Sequence, residues 1–303
     1  MRIFLTTGGQ VNFPGLGLTI ENLIEGFEIF GIHISLSGIL IAISMFLGLF
    51  VTECLAKKTE QNTEQYLDLA IRLVMASVVG GRIGYVLSHR QYFITNQRNV
   101  FNISDGGMSV PGAIIAGLIV SLIYCRKKKL SWLQVCDTAM PGIVSGQIVA
   151  TLGCFFGRNM LGTYSDGAFA MQVALQDVDI NPGMLGRSSV QMVRGNFLQV
   201  HPLALYEAAI LLGLLVILFI CWQIKKIRGL IMSVYLIGYG IGVFAIEFIR
   251  LDSQKILGSI FSVEHIVAAV LFLAGFIILI DQIHKYRVVS KAQPKNISSS
   301  RSK

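Results

Sequence analysis

The chain alternates between long apolar stretches and short linkers that carry polar and basic residues. A helix needs about 20 mostly apolar residues to cross a bilayer, and the sequence holds seven stretches of that kind. They cover approximately residues 31–54, 67–88, 107–125, 133–155, 204–223, 229–249 and 262–283. The pattern therefore predicts an all-α integral membrane protein with seven transmembrane helices.

The composition narrows the class further. Hydrophobic residues make up 53% of the 303 residues and charged residues only 14%, whereas a soluble domain is about 25% charged. This composition excludes an ordinary soluble enzyme, a disordered chain and a disulfide-stapled secreted module. The net charge is +8, and the charged residues lie mostly between the apolar stretches. Membrane topology and contact with anionic lipids therefore explain the excess of basic residues better than binding to nucleic acid does.

The basic residues follow alternate spans and so predict the orientation. They cluster at Lys57 and Lys58, at 126–129, at 225–228 and in the tail 286–303. Cytoplasmic loops carry an excess of Lys and Arg. We therefore expect these segments in the cytoplasm, with the N-terminus outside and the C-terminus inside.

Three segments follow from this topology. Residues 1–30 are predicted to be an N-terminal interfacial segment, lying in the membrane interface or forming a short amphipathic helix. Residues 31–285 form the seven-span domain, with 157–200 as a small extracytoplasmic insert between spans four and five. Residues 286–303 are predicted to be a basic, disordered cytoplasmic tail.

Charged side chains at membrane depth are costly and are therefore candidates for function. Arg82 follows two glycines in GGRIG, and Glu247 and Arg250 share a helix face in EFIR. Two arginines directed at one outward-facing pocket would suit a phospholipid head group, because guanidinium binds phosphate through two hydrogen bonds. The alternatives are an ion pair of Arg82 with Glu207 or Glu247, and a salt bridge within EFIR.

The segment HPLALYE starts span five and holds three further candidates, His201, Tyr206 and Glu207. Pro202 suits the first position of a helix. A single histidine at the end of a span is usually a hydrogen-bonded structural residue. Here the neighbouring Tyr206 and Glu207 favour a functional role.

Five motifs, in this order, resemble the prolipoprotein diacylglyceryl transferases of bacteria. They are GGRIGYVL, DGGMSVPG, a GCF turn leading to FAM, HPLALYE and YGIGVFAIEFIR. The match runs from about residue 30 to residue 285. The resemblance implies the same seven-span topology with the N-terminus outside.

The resemblance also implies a reaction in the bacterial plasma (inner) membrane. The diacylglyceryl group of phosphatidylglycerol passes to the lipobox cysteine thiol of a prolipoprotein, and glycerol-1-phosphate leaves. This substitution needs a thiolate and cations that stabilise the leaving phosphate. No metal or organic cofactor is expected, and the expected partners are phosphatidylglycerol and the signal peptide of a prolipoprotein.

The family motifs fall on named positions of this chain. His201, Glu207 and Glu247 are the implied catalytic residues, with the two glutamates holding arginines in place. The implied head-group ligands are Arg82, Arg250, Ser109, Tyr206, Gly106 and Gly107, beside Asp105 in the same motif.

Four positions depart from the family pattern. Pro111 stands where the family has His, Thr151 and Val243 where it has Arg, and Ser37 where it has Tyr. Arg158 follows Thr151 by seven residues, about two turns of a helix, and is a candidate replacement in the head-group site.

These departures keep three interpretations open. The chain is a working but divergent transferase, a paralogue with an altered donor or acceptor, or a non-catalytic lipid-binding membrane protein. A transporter is disfavoured because the sequence shows no inverted repeat.

Overall fold

The computed structural model describes residues 3–7, 9–29, 32–95, 107–178, 193–194, 196–224, 227–251, 253 and 261–292. Most of these residues are helical. The helices are α1 (Leu36–Lys58), α2 (Thr63–Ser88), α3 (Arg90–Thr95), α4 (Val110–Lys127), α5 (Trp132–Phe156), α6 (Leu203–Ile224), α7 (Leu230–Glu247) and α8 (Val263–Ala292).

Within the described residues, seven helices are long and apolar enough to cross a membrane: α1, α2 and α4 to α8. This confirms the seven predicted spans and their order. The side of the membrane on which each end lies stays a prediction. The chain divides into a smaller unit, Leu49–Ala139, and a larger unit made of Met1–Gly48 and Met140–Lys303.

In the smaller unit, α2 and α4 pack closely through small residues. A Cβ added to Gly112 would lie 2.4 Å from the backbone oxygen of Gly80 and 3.0 Å from the Cα of Gly84. Small residues at such contacts let two helix backbones approach. The glycines of GGRIG therefore bring the start of α4 against the last third of α2.

One apolar cluster fixes which helix ends of the smaller unit lie together. Its buried residues include Ala56 near the end of α1, Tyr66 near the start of α2, and Tyr124 and Cys125 near the end of α4. The basic clusters that follow α1 and α4 therefore lie at the same end of this unit. That arrangement agrees with the alternation used to predict the orientation.

In the larger unit, α7 packs between α6 and α8 around a buried cluster. Leu211 and Leu218 of α6 meet Ile231 and Tyr235 of α7. Gly240 faces the backbone oxygen of Ala268, which would lie 2.9 Å from an added Cβ. The end of α7 is thereby held against the start of α8.

Two small antiparallel sheets complete the larger unit. Their strands are β1 (Ile3–Thr7), β2 (Val11–Phe13), β3 (Leu18–Ile20), β4 (Ile24–Ile29), β5 (Ile32–Ser35), β6 (Met171–Ala174), β7 (Val193–Arg194) and β8 (Phe197–Val200). The strand orders are β1–β4–β5 and β3–β2–β6–β8–β7. The second sheet joins the N-terminal segment to the insert, with Val11 paired to Val173 over a buried apolar cluster.

The structure corrects two expectations for the ends of the membrane domain. The short amphipathic helix considered for residues 1–30 is wrong for the described residues, which form strands and one 3-10 turn. The tail does not begin at 286, because α8 continues to Ala292. Residues 293–303 and 179–192 lie outside the described residues, and the interfacial position of 1–30 stays a prediction.

Candidate functional site

A short extended segment after α5 holds the start of α6 and the end of α7 together. The backbone N–H of Thr163 donates to the oxygen of Ile249 at 2.7 Å, and that of His201 donates to the oxygen of Thr163 at 3.1 Å. Gly162, on the same segment, pairs with Arg250 in an isolated antiparallel β-bridge. His201 and Arg250 are therefore attached to one backbone frame.

Gly162 has no room for a side chain in this frame. An added Cβ would lie 2.6 Å from the Cβ of His201 and 2.7 Å from Cδ1 of Leu203. The glycine thus allows the segment to approach the His-Pro turn before α6. This contact places the candidate base on a rigid backbone.

Glu247 and Arg250 form the predicted ion pair. Nη1 of Arg250 lies 3.7 Å from Oε2 of Glu247, whose side chain is almost fully buried, while the Arg250 side chain is 31% exposed. The other oxygen, Oε1, accepts a hydrogen bond from the hydroxyl of Ser262 at 2.9 Å. A buried carboxylate needs such partners, and here they orient it toward the guanidinium.

His201 and Tyr206 meet as the HPLALYE spacing suggests. Nδ1 of His201 lies 3.3 Å from the hydroxyl of Tyr206. Partial burial lowers the pKa of His201 from 6.5, because it disfavours the charged imidazolium. The imidazole is therefore neutral at neutral pH and able to accept a proton.

Glu207 lies one residue after Tyr206 in the first turns of α6. Its carboxylate interacts electrostatically with Arg250 and with Cys154 and Tyr239 in the helices around it. Tyr239 stacks on Tyr235, with ring centroids 5.5 Å apart. Glu207 and Glu247 thus both act on Arg250.

In the smaller unit, Arg82 is 9% exposed and lies among aromatic rings. Its Nη1 donates to the backbone oxygen of Gly107 at 3.1 Å, and its guanidinium carbon is 5.6 Å from the ring centroids of Tyr85 and Phe93. Arginine stacks on such rings through its planar guanidinium. The predicted pairing of Arg82 with Glu207 or Glu247 stays a prediction.

The DGGMSVPG motif becomes the start of α4. Gly107 has a φ of +81°, and a Cβ there would clash with the ring of Tyr85 at 2.3 Å. Ser109 caps the helix by accepting from the N–H of Gly112. Pro111 occupies the first turn, where a missing N–H costs nothing, and Asp105 and Gly106 lie outside the described residues.

Arg158 does not continue the helix that carries Thr151, contrary to the helical spacing used to place it. The helix α5 ends at Phe156, and Arg158 adopts a left-handed φ of +53°. Its buried guanidinium pairs with Glu25 of β4 at 2.9 Å. The hydroxyl of Thr151 donates to the backbone oxygen of Gln147 within α5.

The other two positions that depart from the family pattern are Val243 and Ser37. Val243 is half-buried in α7, and the hydroxyl of Ser37 donates to that of Ser35 at 3.3 Å. Among the residues that the structure describes, no group of His, Cys, Asp and Glu is arranged to hold a metal ion.

Sequence reasoning missed two residues of the site, Ser262 and His265. Both are buried next to Glu247, and the ring Nδ1 of His265 lies 2.9 Å from the hydroxyl of Ser262. The spacing S-x-x-H before an apolar stretch resembles a helix-capping sequence, which is the signal that could have revealed them. Their contact with Glu247 depends on the packing of α7 and α8.

Comparison with known proteins places the chain in a family. A family model described as prolipoprotein diacylglyceryl transferase matches residues 25–281. The chain is 31% identical to a phosphatidylglycerol–prolipoprotein diacylglyceryl transferase of Finegoldia magna over 255 residues, 84% of this chain and 93% of the relative. It is 32% identical to the protein of that name from Corynebacterium glutamicum over 235 residues, 75% of this chain and 72% of the relative.

A third relative of the same name, from Thermosynechococcus vestitus, is 30% identical over 220 residues, 71% of this chain and 77% of the relative. These matches confirm the resemblance seen in the five motifs. Together with the seven apolar helices, they make the chain a multi-pass protein of the bacterial plasma membrane. This chain belongs to the prolipoprotein diacylglyceryl transferase family.

Proposed function

We propose that this chain transfers the diacylglyceryl group of phosphatidylglycerol to the lipobox cysteine thiol of a prolipoprotein, the first step of lipoprotein maturation. The sulfur–carbon bond forms as the carbon–oxygen bond to the phosphate breaks. The thiol proton passes to a base, and glycerol-1-phosphate leaves with the developing negative charge. Within a chain of this family, the observation that carries the proposal is the Glu247–Arg250 pair on the backbone frame shared with His201.

Arg250 is the cation for the leaving phosphate in this proposal. Its side chain is partly exposed, whereas its partner Glu247 is buried, so the guanidinium can reach a ligand while the carboxylate holds it. Electrostatic stabilisation of the charge that develops in a transition state is often the largest contribution to catalysis. Glu207 interacts electrostatically with the same guanidinium.

His201 is the acceptor for the thiol proton. Its neutral imidazole is positioned by the backbone of Thr163 and by the hydroxyl of Tyr206. A general base works best when its pKa lies near the working pH and the unprotonated form prevails. Tyr206 serves as the residue that orients the ring.

Arg82 is proposed as a further head-group ligand, together with Ser109, Gly106 and Gly107 of the motif that caps α4. Arg82 is oriented by the carbonyl of Gly107 and by two aromatic rings. An arginine presented in this way matches the planar geometry of a phosphate. Replacement of Arg82 by alanine should abolish phosphatidylglycerol-dependent transfer without unfolding the protein.

Arg158 is the remaining proposed ligand, and its pairing with Glu25 allows a direct test. A purely structural pair predicts that Arg158→Ala and Glu25→Gln reduce transfer equally, through stability alone. A role in head-group binding predicts that only Arg158→Ala raises the KM for phosphatidylglycerol. Normal activity of Arg158→Ala would remove this residue from the site.

The competing proposal is a paralogue that uses another donor or acceptor. Pro111, Thr151 and Val243 favour it, because these side chains carry no charge where the family has His and two Arg. Purified protein should therefore be given phosphatidylglycerol or phosphatidylethanolamine, with a lipobox peptide containing Cys or its Cys-to-Ser counterpart. The transferase proposal predicts a thioether only with phosphatidylglycerol and Cys, whereas product with the other lipid alone would favour the paralogue.

A further inference from the structure

The last helix, α8, begins with a reciprocal cap made by Ser262 and His265. The backbone N–H of His265 donates to the Ser262 hydroxyl oxygen at 3.3 Å, and the backbone N–H of Ser262 donates to Nδ1 of His265 at 3.1 Å. This is the arrangement of a capping box, with histidine in the place that Glu or Gln usually takes. Because Nδ1 accepts, the neutral ring carries its proton on Nε2.

Packing locks the ring of His265 in this position. It is 2% exposed and lies against Phe244, Phe248 and Phe261, with centroid distances of 4.9, 4.5 and 5.5 Å. Its Nε2 makes no hydrogen bond to any residue that the structure describes. Within the described residues, the ring's hydrogen bonds are therefore those of the cap, which Nδ1 makes.

The Ser262 hydroxyl lies 2.9 Å from Nδ1 of His265 and 2.9 Å from Oε1 of Glu247. Because Nδ1 already accepts the backbone N–H of Ser262, the hydroxyl donates its proton to Glu247, and its oxygen accepts the N–H of His265. The positive end of the α8 dipole also favours a carboxylate at this place. Glu247 is thus held from one side by the start of α8 and turns its other oxygen toward Arg250.

We propose that Ser262, fixed by His265, is a positioning residue for the diacylglyceryl transfer: it holds the Glu247 carboxylate and, through it, the Arg250 guanidinium. This inference rests on the proposed function, in which Arg250 binds the phosphate. It assigns the N-terminal cap of α8 to the site, in a positioning role that requires no contact with substrate.

Three variants separate positioning from helix capping. Ser262→Gly keeps most of the capping energy, because glycine is a good cap residue, but it removes the hydroxyl that reaches Glu247. Ser262→Ala removes both, and Ser262→Thr keeps both. The matched control is Ser233→Ala, since Ser233 is another fully buried serine, and its hydroxyl donates to the backbone oxygen of Gly229.

The expected result is a lower kcat for Ser262→Gly, by about tenfold to a hundredfold, the effect of removing a hydrogen bond to a charged group. The thermal unfolding temperature should fall less in Ser262→Gly than in Ser262→Ala, because both lose the contact with Glu247 but glycine keeps most of the cap. Ser262→Thr and Ser233→Ala should turn over close to the wild-type rate. The inference would be overturned if Glu247→Gln had a reduced kcat while Ser262→Gly had the same kcat as Ser233→Ala.

Retention of phosphatidylglycerol in native mass spectrometry gives a readout that does not require transfer. Ser262→Gly should retain less of this lipid than Ser233→Ala does. If the wild type makes no thioether, the proposed function fails, and lipid retention still decides the inference. Equal retention by the two variants would then overturn it, whereas a loss confined to Ser262→Gly would support it.

Discussion

Replacement of Glu247 by glutamine should slow transfer while leaving the fold intact. The amide keeps the size of the side chain, and its oxygen can still accept from Ser262. The charge that orients Arg250 is lost. The change therefore isolates one electrostatic contact of the site.

The magnitude follows from the geometry of the pair, whose charged atoms lie 3.7 Å apart. Two unit charges about 4 Å apart attract by about 1 kcal/mol in water and by about 4 kcal/mol at an effective dielectric constant near 20. Because Arg250 is 31% exposed, solvent screens part of this attraction. We expect a loss of about 2 kcal/mol, which is roughly thirtyfold in kcat/KM.

The assay measures diacylglyceryl thioether on a lipobox peptide as a function of phosphatidylglycerol concentration. Asp281→Asn is the control, because it breaks an exposed ion pair with Lys285 near the end of α8 and should leave kcat/KM unchanged. A Glu247→Gln variant with wild-type kcat/KM would refute the claim that this carboxylate orients the head-group arginine. An equal loss in both variants would show a general effect of charge removal.

Changes at His201, Gly162 and Arg82 test other parts of the site. Transfer by the wild type should fall as the pH drops from 6.5 through the lowered pKa of His201, because the imidazole then becomes protonated. The stability that is linked to this histidine is present above pH 6.5 and is lost over the same fall in pH. A His201→Gln variant should lack this decline at acidic pH in its pH–rate profile. Gly162→Ala should lower the free energy of unfolding by about 1–3 kcal/mol through overpacking, whereas Gly213→Ala, with nothing within 4 Å of the added Cβ, should cost nothing in thermal unfolding. Arg82→Lys should retain the charge but raise the KM for phosphatidylglycerol, because an ammonium group cannot bind a phosphate through two parallel hydrogen bonds as a guanidinium does.

The sequence was sufficient to predict the membrane helices because their apolar composition decides their structure. The predicted span 133–155 corresponds to α5 over Trp132–Phe156, and 204–223 corresponds to α6 over Leu203–Ile224. Local pairs were also within reach. The i, i+3 spacing of Glu247 and Arg250 and the HPLALYE spacing of His201 and Tyr206 both give contacts in the structure.

The sheets could not be predicted in the same way, because their strands are short and pair across long separations. Val11 lies opposite Val173, about half the chain away, and β2 has only three residues. Such pairing depends on tertiary packing rather than on local preference. The insert and the N-terminal segment therefore looked independent in the sequence, although they share one sheet and one apolar core.

The positions of Arg158 and Ser262 show the same limit at the site. The seven-residue spacing from Thr151 assumed a continuous helix, but the helix stops before Gly157 and the chain turns into a left-handed conformation. Ser262 carries a recognisable capping pattern, yet its contact with Glu247 requires that α7 and α8 meet at their ends. Sequence spacing gives neighbours within an element, and packing decides the rest.

The most direct test of the proposed transfer measures both products of one reaction in water labelled with oxygen-18. Purified wild-type protein is mixed with phosphatidylglycerol and the lipobox peptide, and mass spectrometry quantifies the peptide thioether and the released glycerol phosphate. Substitution at carbon predicts equimolar products with no heavy oxygen in the glycerol phosphate. The proposed transfer would be contradicted if glycerol phosphate were released without any thioether. It would also be contradicted if this protein made no product while another family member, assayed in parallel, was active.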